Sequence, residues 1–394
     1  MATAPRTAGT RLRPAERRRQ LVDAATELFL EQGYGKVSVA DIARAAGISG
    51  PSVYRHFPDK EAILAAATRF AVDEMAETTA RVLARPGATF EDLSSAVFAM
   101  AVSRPGPLAL WRWNRRHLTA EQAREMIAAS EGVLGSWTEV LRRDHPELTD
   151  DDARVLTWAV LAVGGSVPPS RGRIGIRRYR ADLEVIARRV LRAAPSTAPE
   201  LPAPPPRRAP VVRSDEILDA ASELFFSRGY STVSMDDIGA AVGISGPSVY
   251  GHFPSKGSIL VGIVARARAA LEIGVVGAAG VSDGDPLAEL RALVRSYAAN
   301  LVTSTDLAVA FTVGREVVIE SGGEALLAAQ KAYVARWVAL LSAGSDGALD
   351  AAGARIAVGA AMTIANDFAR TRRLRGRPRF HDELVHLVNA ALGL

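Results

Sequence analysis

The chain repeats itself, and this constrains its fold more than any other feature. Arg17–Leu64 aligns without a gap onto Arg213–Leu260 at a constant shift of 196 residues, and 28 of 48 positions are identical. The longest unbroken block, Gly47–Tyr54, returns unchanged as Gly243–Tyr250, and His56-Phe57-Pro58 returns as His252-Phe253-Pro254. Further along the similarity thins without stopping. Trp137 lines up with Trp337, and Ala153-Arg154-Val155 with Ala354-Arg355-Ile356, the shift drifting by a few residues as loop insertions would produce. Self-similarity at a fixed spacing marks a repeated structural unit. Two units of one kind are therefore expected in one polypeptide.

Between the copies, residues 193–210 read AAPSTAPELPAPPPRRAP. Proline at this density neither continues a helix nor sits inside a sheet, so an extended, partly polyproline-II linker is expected. At about 3.1 Å per residue it reaches roughly 55 Å, enough to cross a small domain.

Each copy opens with an amphipathic pattern. Leu21, Ala24, Ala25, Leu28 and Phe29 recur at helical spacing, as do Ile217, Ala220, Ala221, Leu224 and Phe225. Gly33 and Gly229 stop these helices. Ser38-Val-Ala-Asp41 and Ser234-Met-Asp-Asp237 read as capping boxes that start a second helix. Gly47 and Gly243 break that helix, and Ser49 and Ser245 cap a third, very short one. Pro51 and Pro247 are tolerated there because a first helical turn has unpaired N–H groups. Helix, glycine-containing turn, helix is the helix-turn-helix arrangement, whose second helix presents its N-terminal side chains to base edges in the major groove. Asp59 and Ser255 cap a fourth helix, with Lys60 and Lys256 in its first turn.

The segments Val37–Lys60 and Val233–Lys256 resemble the N-terminal DNA-binding domain of the TetR family of bacterial regulators, down to Tyr-Arg-His-Phe-Pro-Asp-Lys and Tyr-Gly-His-Phe-Pro-Ser-Lys. By this resemblance Gly50, Pro51, Ser52, Tyr54, Arg55 and His56 hold recognition-helix positions, flanked by Ser38 and Arg44, and Lys60 holds a phosphate-clamping one. In the second copy the corresponding set is Ser234, Gly246, Pro247, Ser248, Tyr250, Gly251, His252 and Lys256. A competing reading packs Tyr54 and Phe57 into the core of the three-helix head. The resemblance further implies that the rest of each copy is a helical effector domain. Its last two helices, Asp150–Gly164 with Arg180–Arg192 and Leu349–Arg370 with Asp382–Leu392, would pair with another unit as a four-helix bundle.

The expected architecture is therefore all-α. A basic disordered arm (1–16) precedes a helix-turn-helix domain (17–64), an effector and dimerisation-type domain (65–192) and the linker (193–210). A second helix-turn-helix domain (211–260) and a second effector domain (261–394) follow. Trp111, Trp113, Arg115 and His117 in the first effector domain, and Phe311, Arg315 and Glu316 in the second, form an aromatic and charged mixture that suits an apolar ligand with an anionic end. Core aromatics and surface arginines explain the same mixture.

Composition limits the remaining choices. The sequence has no cysteine, which removes disulfide and thiolate chemistry and fits a cytoplasmic protein. The start of the chain lacks the apolar run of a signal peptide, and Val155–Val163 is too short to cross a bilayer. A net charge of +5 leans towards an anionic partner, and Arg6, Arg11, Arg13, Arg17, Arg18 and Arg19 crowd the N-terminus. No metal-ligand spacing, phosphate loop or catalytic triad is evident, so neither a cofactor nor an enzymatic activity is expected. The expected partners are a double-stranded DNA operator and a small-molecule effector. The two copies are expected to pair within one chain, with self-association of whole chains left open. The alternative to a ligand-responsive regulator is a constitutive or architectural DNA-binding protein with vestigial pockets.

Overall fold

The computed structural model describes residues 13–106, 119–168, 174–207, 209–313 and 315–394, and every regular element among them is helical. The first head comprises α1 (Pro14–Gln32), α2 (Val39–Ala45) and α3 (Gly50–Val53). It leads into α4 (Lys60–Leu83), α5 (Phe90–Ser103), α6 (Ala120–Asp144), α7 (Asp150–Gly164) and α8 (Ile176–Leu191). The second head is α9 (Arg213–Arg228), α10 (Met235–Ala241) and α11 (Gly246–Tyr250). After it come α12 (Lys256–Gly280), α13 (Pro286–Thr303), α14 (Asp306–Thr312), α15 (Arg315–Glu320), α16 (Glu324–Gly344), α17 (Ala351–Arg370), α18 (Arg372–Arg375) and α19 (Phe380–Leu392).

The N-terminal arm corrects one expectation. Pro14, Ala15 and Glu16 already belong to α1, where Glu16 turns back to accept from the Arg13 amide at 2.9 Å. Three of the arginines that crowd the N-terminus lie on the head itself. Arg18 sits 4.3 Å over the Phe57 ring and donates to the His56 carbonyl, Arg19 stacks over Phe70, and Arg17 donates to Gln20. Residues 1–12, with Arg6 and Arg11, lie outside the described residues.

By packing, the chain forms two compact units, residues 1–74 with 106–128, and residues 75–105 with 129–394. In the first, Leu21, Ala25 and Phe29 of α1 close a core with Ile42 and Ala43 of α2 and with Val53, Phe57 and Ile63. In the second, α7 and α8 of the first copy pack against α17 and α19 of the second. The reason lies in the helices: α17 is buried nearly all round, with Ala354, Ile356, Ala357, Val358, Ala360 and Ala361 all inside. A helix apolar on every side needs neighbours on every side, and its alanines let them approach closely.

Ion pairs cross this four-helix bundle reciprocally. Arg178 of α8 reaches Asp350, the cap of α17, at 2.8 Å, and Arg377, just before α19, reaches Asp151 in the first turn of α7 at 2.5 Å. Contact of i with j matched by an equivalent contact in return is the signature of a two-fold interface. Here it is made by two halves of one chain.

The linker is docked rather than free. Pro195–Thr197 forms a short 3₁₀ turn whose Ser196 amide and hydroxyl donate to Asp152, while Arg379 donates to the Ala198 carbonyl. Further on, Arg207 joins Asp219 of α9, Arg266 of α12 and Asp306 of α14 in one charge network with contacts of 2.6–3.7 Å. The core of the second head continues into the helices behind it, through Val309, Val313 and Val318.

Candidate nucleic-acid interface

Both heads start α2 and α10 in the same way. The Ser38 and Ser234 side chains accept from the Asp41 and Asp237 amides, and each aspartate accepts in return from the serine amide and hydroxyl. These hydrogen bonds, the serine hydroxyl's first, hold both aspartates below the usual carboxylate range; Arg44 adds to the effect at Asp41 and Arg228 at Asp237. Ser38 and Ser234 are thus caps that orient the helix ahead of the turn. The turns need φ of 66° at Gly47 and 71° at Gly243, a region side chains rarely enter.

After each turn the recognition helix is one turn long. Val53 and Val249 anchor it inside, while Tyr54 and Tyr250 stand 58% and 55% exposed. This exposure removes the core reading for Tyr54, and the ring that fills the core is Phe57, at 1%. Pro51, Arg55, Pro247, Ser248, Gly251 and His252 are exposed too, and Gly50, Ser52 and His56 are half-buried beside them. Gly246 is buried. In each head these residues share one surface at the start of the recognition helix, with Arg44 exposed on α2 and paired to Asp41.

Lys60 and Lys256 are both engaged within their own heads. The Lys60 ammonium donates to the Tyr34 carbonyl at 2.9 Å and lies 4.3 Å over the Tyr34 ring. Lys256 donates to the carbonyls of Tyr230, Val233 and Ser231, and burial pushes its pKa down. Both lysines fasten the turn that follows the head's first helix. An ammonium has three hydrogens, and at Lys256 each faces a main-chain oxygen rather than a phosphate.

The heads differ in charge where they agree in shape. Residues 36–60 carry Lys36, Arg44, Arg55 and Lys60 against Asp41 and Asp59. Residues 232–256 carry Lys256 against Asp236 and Asp237. The first stretch therefore carries a net charge of +2 and the second a net charge of −1.

Behind the second head lies a cavity of about 60 Å³ walled by Val264, Leu271, Leu307, Phe311, Leu326 and Tyr333, with Arg268 and Glu272 at its edge. Phe311 is the one pocket candidate whose side chain can be followed. Trp111, Trp113, Arg115 and His117 lie outside the described residues, as do the side chains of Arg315 and Glu316. Trp137 and Trp337 are fully buried; Trp137 donates to Thr79 at 2.9 Å, and Trp337 packs on Tyr297 and Tyr333. No helix among the described residues is long and apolar enough to cross a membrane, and no group of metal-ligating side chains gathers among them.

Comparison with known proteins assigns both heads. Residues 21–67 and 217–263 each match the bacterial regulatory proteins, tetR family. The transcriptional repressor KstR2 of Rhodococcus jostii is 31% identical over 109 residues, 27% of this chain and 53% of that protein. The transcriptional activator FasR of Mycolicibacterium smegmatis is 40% identical over 67 residues, 17% of this chain and 31% of that protein. The chain thus spans about half or less of the length of these curated relatives. A TetR-family transcriptional regulator from Bordetella parapertussis superposes with a TM-score of 0.38 at 20% identity, over 43% of this chain and 93% of that one.

Proposed function

Because the chain belongs to the tetR family of bacterial regulatory proteins and carries that family's DNA-binding domain twice, we propose that it is a DNA-binding transcriptional regulator. On this reading it is a ligand-responsive repressor, one chain of which fills an operator of two unequal half-sites. The observation that carries the reading is the pairing of α7 and α8 with α17 and α19 inside one polypeptide. Two-headed DNA readers match protein symmetry to operator symmetry, and here the second subunit's place is taken by the second copy. Arg55 supports inequality of the half-sites. Arginine pairs bidentately with guanine, a contact worth about 1–3 kcal/mol of discrimination, and Gly251 offers no side chain.

Responsiveness to a ligand is supported by the surroundings of the cavity. Its walls come from α12, α14 and α16, and the first two of these helices also carry Arg266 and Asp306. Those two residues pair with each other, and Arg266 also pairs with Asp219 on the first helix of the second head. A ligand that moves α12 against α14 strains this link, and DNA affinity then falls by the coupling free energy between the two sites. Apolar walls with Arg268 among the lining suit a small apolar molecule whose anionic end would compete with Glu272, the residue Arg268 pairs with at 2.7 Å. The modest cavity volume favours the second reading, a constitutive DNA-binding protein with vestigial pockets. Both readings place the protein in the cytoplasm with its DNA.

The test is selection of binding sites from randomised duplexes by the full chain, followed by a ligand screen on the selected site. The proposal expects an imperfect inverted repeat, affinity that falls steeply with salt, and release by an amphiphilic acid. Selection of no sequence contradicts DNA reading, and a perfect repeat contradicts the unequal heads. Release by no ligand leaves the constitutive reading.

A further inference from the structure

The start of the second recognition helix lies beneath a carboxylate. A Cβ placed on Gly246 would stand 1.7 Å from Asp236 Oδ1 and 3.2 Å from Asp236 Cα, whereas a Cβ on Gly50 meets nothing within 4 Å. The cause is the residue 196 positions earlier, Ala40 in place of Asp236. A second change seats the carboxylate. Gly239 replaces Ala43, and a Cβ there would come within 2.8 Å of the Ile244 carbonyl and 3.1 Å of the Gly246 amide. Loss of that methyl lets α10 press onto the turn and brings Asp236 over the helix start. The neighbouring Asp237 is committed to its capping box, while Asp236 is exposed. Around it the cations of the first head are gone: Thr232 stands for Lys36, Ala240 for Arg44 and Gly251 for Arg55.

In a docked helix-turn-helix the start of the recognition helix meets base edges while the preceding helix crosses the backbone. A carboxylate there can only accept. Cytosine N4 and adenine N6 donate into the major groove, whereas guanine offers O6 and N7, both acceptors. We propose that Asp236 is a specificity-determining residue of the second head, accepting from the amino group of a cytosine or adenine and rejecting guanine at that position of the contacted strand. The inference rests on the DNA-reading function proposed above. Its consequence is polarity. Arg55 in the first head favours the base that Asp236 in the second rejects, so the repulsive element bars each head from the other's half-site. The chain then sits on its operator in one orientation.

The test fixes the half-site of the first head and randomises the other, with the full chain as wild type, Asp236→Ala and Asp236→Asn. Asp236 is exposed and alanine is the first copy's own residue there, and thermal melting checks that each variant folds. Wild type is expected to select cytosine or adenine at one position by about tenfold or more. Asp236→Ala should lose that preference and bind the guanine-bearing site about tenfold more tightly than wild type does. Asp236→Asn, which pairs bidentately with adenine, should move the preference to adenine. If Asp236→Ala keeps wild-type preference and affinity while the second half-site is still selected, the inference is overturned and DNA reading stands. If wild type selects no base anywhere in the randomised half, the inference and the two-headed reading fall together.

Discussion

Lys256 shows how far a motif residue can sit from its anticipated partner. Its ammonium faces three carbonyls of the turn after α9. Lys256→Ala therefore removes the partner of the part-buried Tyr230 and Val233 carbonyls, at about 1–3 kcal/mol, and should lower the melting temperature of the second head. Lys60→Ala, which loses one carbonyl bond and a ring contact, should cost less. Neither substitution should change the slope of log affinity against log salt. A slope flattened by about one unit with stability intact would return these lysines to the phosphate backbone. Gly239 makes a sharper test. Gly239→Ala installs the first copy's residue where the Ile244 carbonyl stands 2.8 Å from the new Cβ. Overpacking of this kind costs about 1–3 kcal/mol, whereas Gly50→Ala, with open space around it, should leave packing undisturbed.

Among the short helices, the capping boxes set the acid response. Asp41 and Asp237 titrate below their unfolded values because serine hydrogen bonds favour the charged form. A carboxyl depressed on folding stabilises the head above its unfolded pKa, about 3.9, and that contribution is lost as pH falls through the lower folded value. The heads should therefore lose melting temperature below about pH 4. Asp41→Asn with Asp237→Asn should melt lower at neutral pH and respond less to acid. These boxes were legible from Ser-x-x-Asp alone, as were the short recognition helices from glycine, serine and proline, because local geometry fixes them. The exposure of Tyr54 was not, since a Tyr-x-x-Phe spacing puts neither ring inside until Val53 and Phe57 close the core. The stacking of Arg18 on Phe57 and the seat of Asp236 on Gly246 depend on how helices meet, which no local pattern states. The start of α8 at Ile176 rather than Arg180 hides for another reason: Arg177, Arg178 and Arg180 mask its apolar face, where Tyr179 is buried.

For the molecule as a whole, the bundle is what joins the first copy's α7 and α8 to the second copy's α17 and α19. Its two crossing ion pairs should differ in value. Arg178 and Asp350 are about half exposed, so Arg178→Ala should cost little, as a solvent-screened surface pair does. Arg377 is largely buried beside Glu383 and also reaches Asp151. Its loss leaves an unpaired buried carboxylate, so Arg377→Ala should destabilise the bundle by about 3 kcal/mol. Equal small effects would argue that the bundle does not hold the copies together. On the proposed function, a bundle complete inside one chain makes a second chain unnecessary for a two-headed reader, and the unlike heads would give that reader an unsymmetrical site. The most direct measurement is the mass of the protein bound to its selected operator duplex, by native mass spectrometry or sedimentation at near-physiological salt. One chain of 41.8 kDa per duplex is the expected result. Two chains per duplex, persisting on dilution, would contradict it.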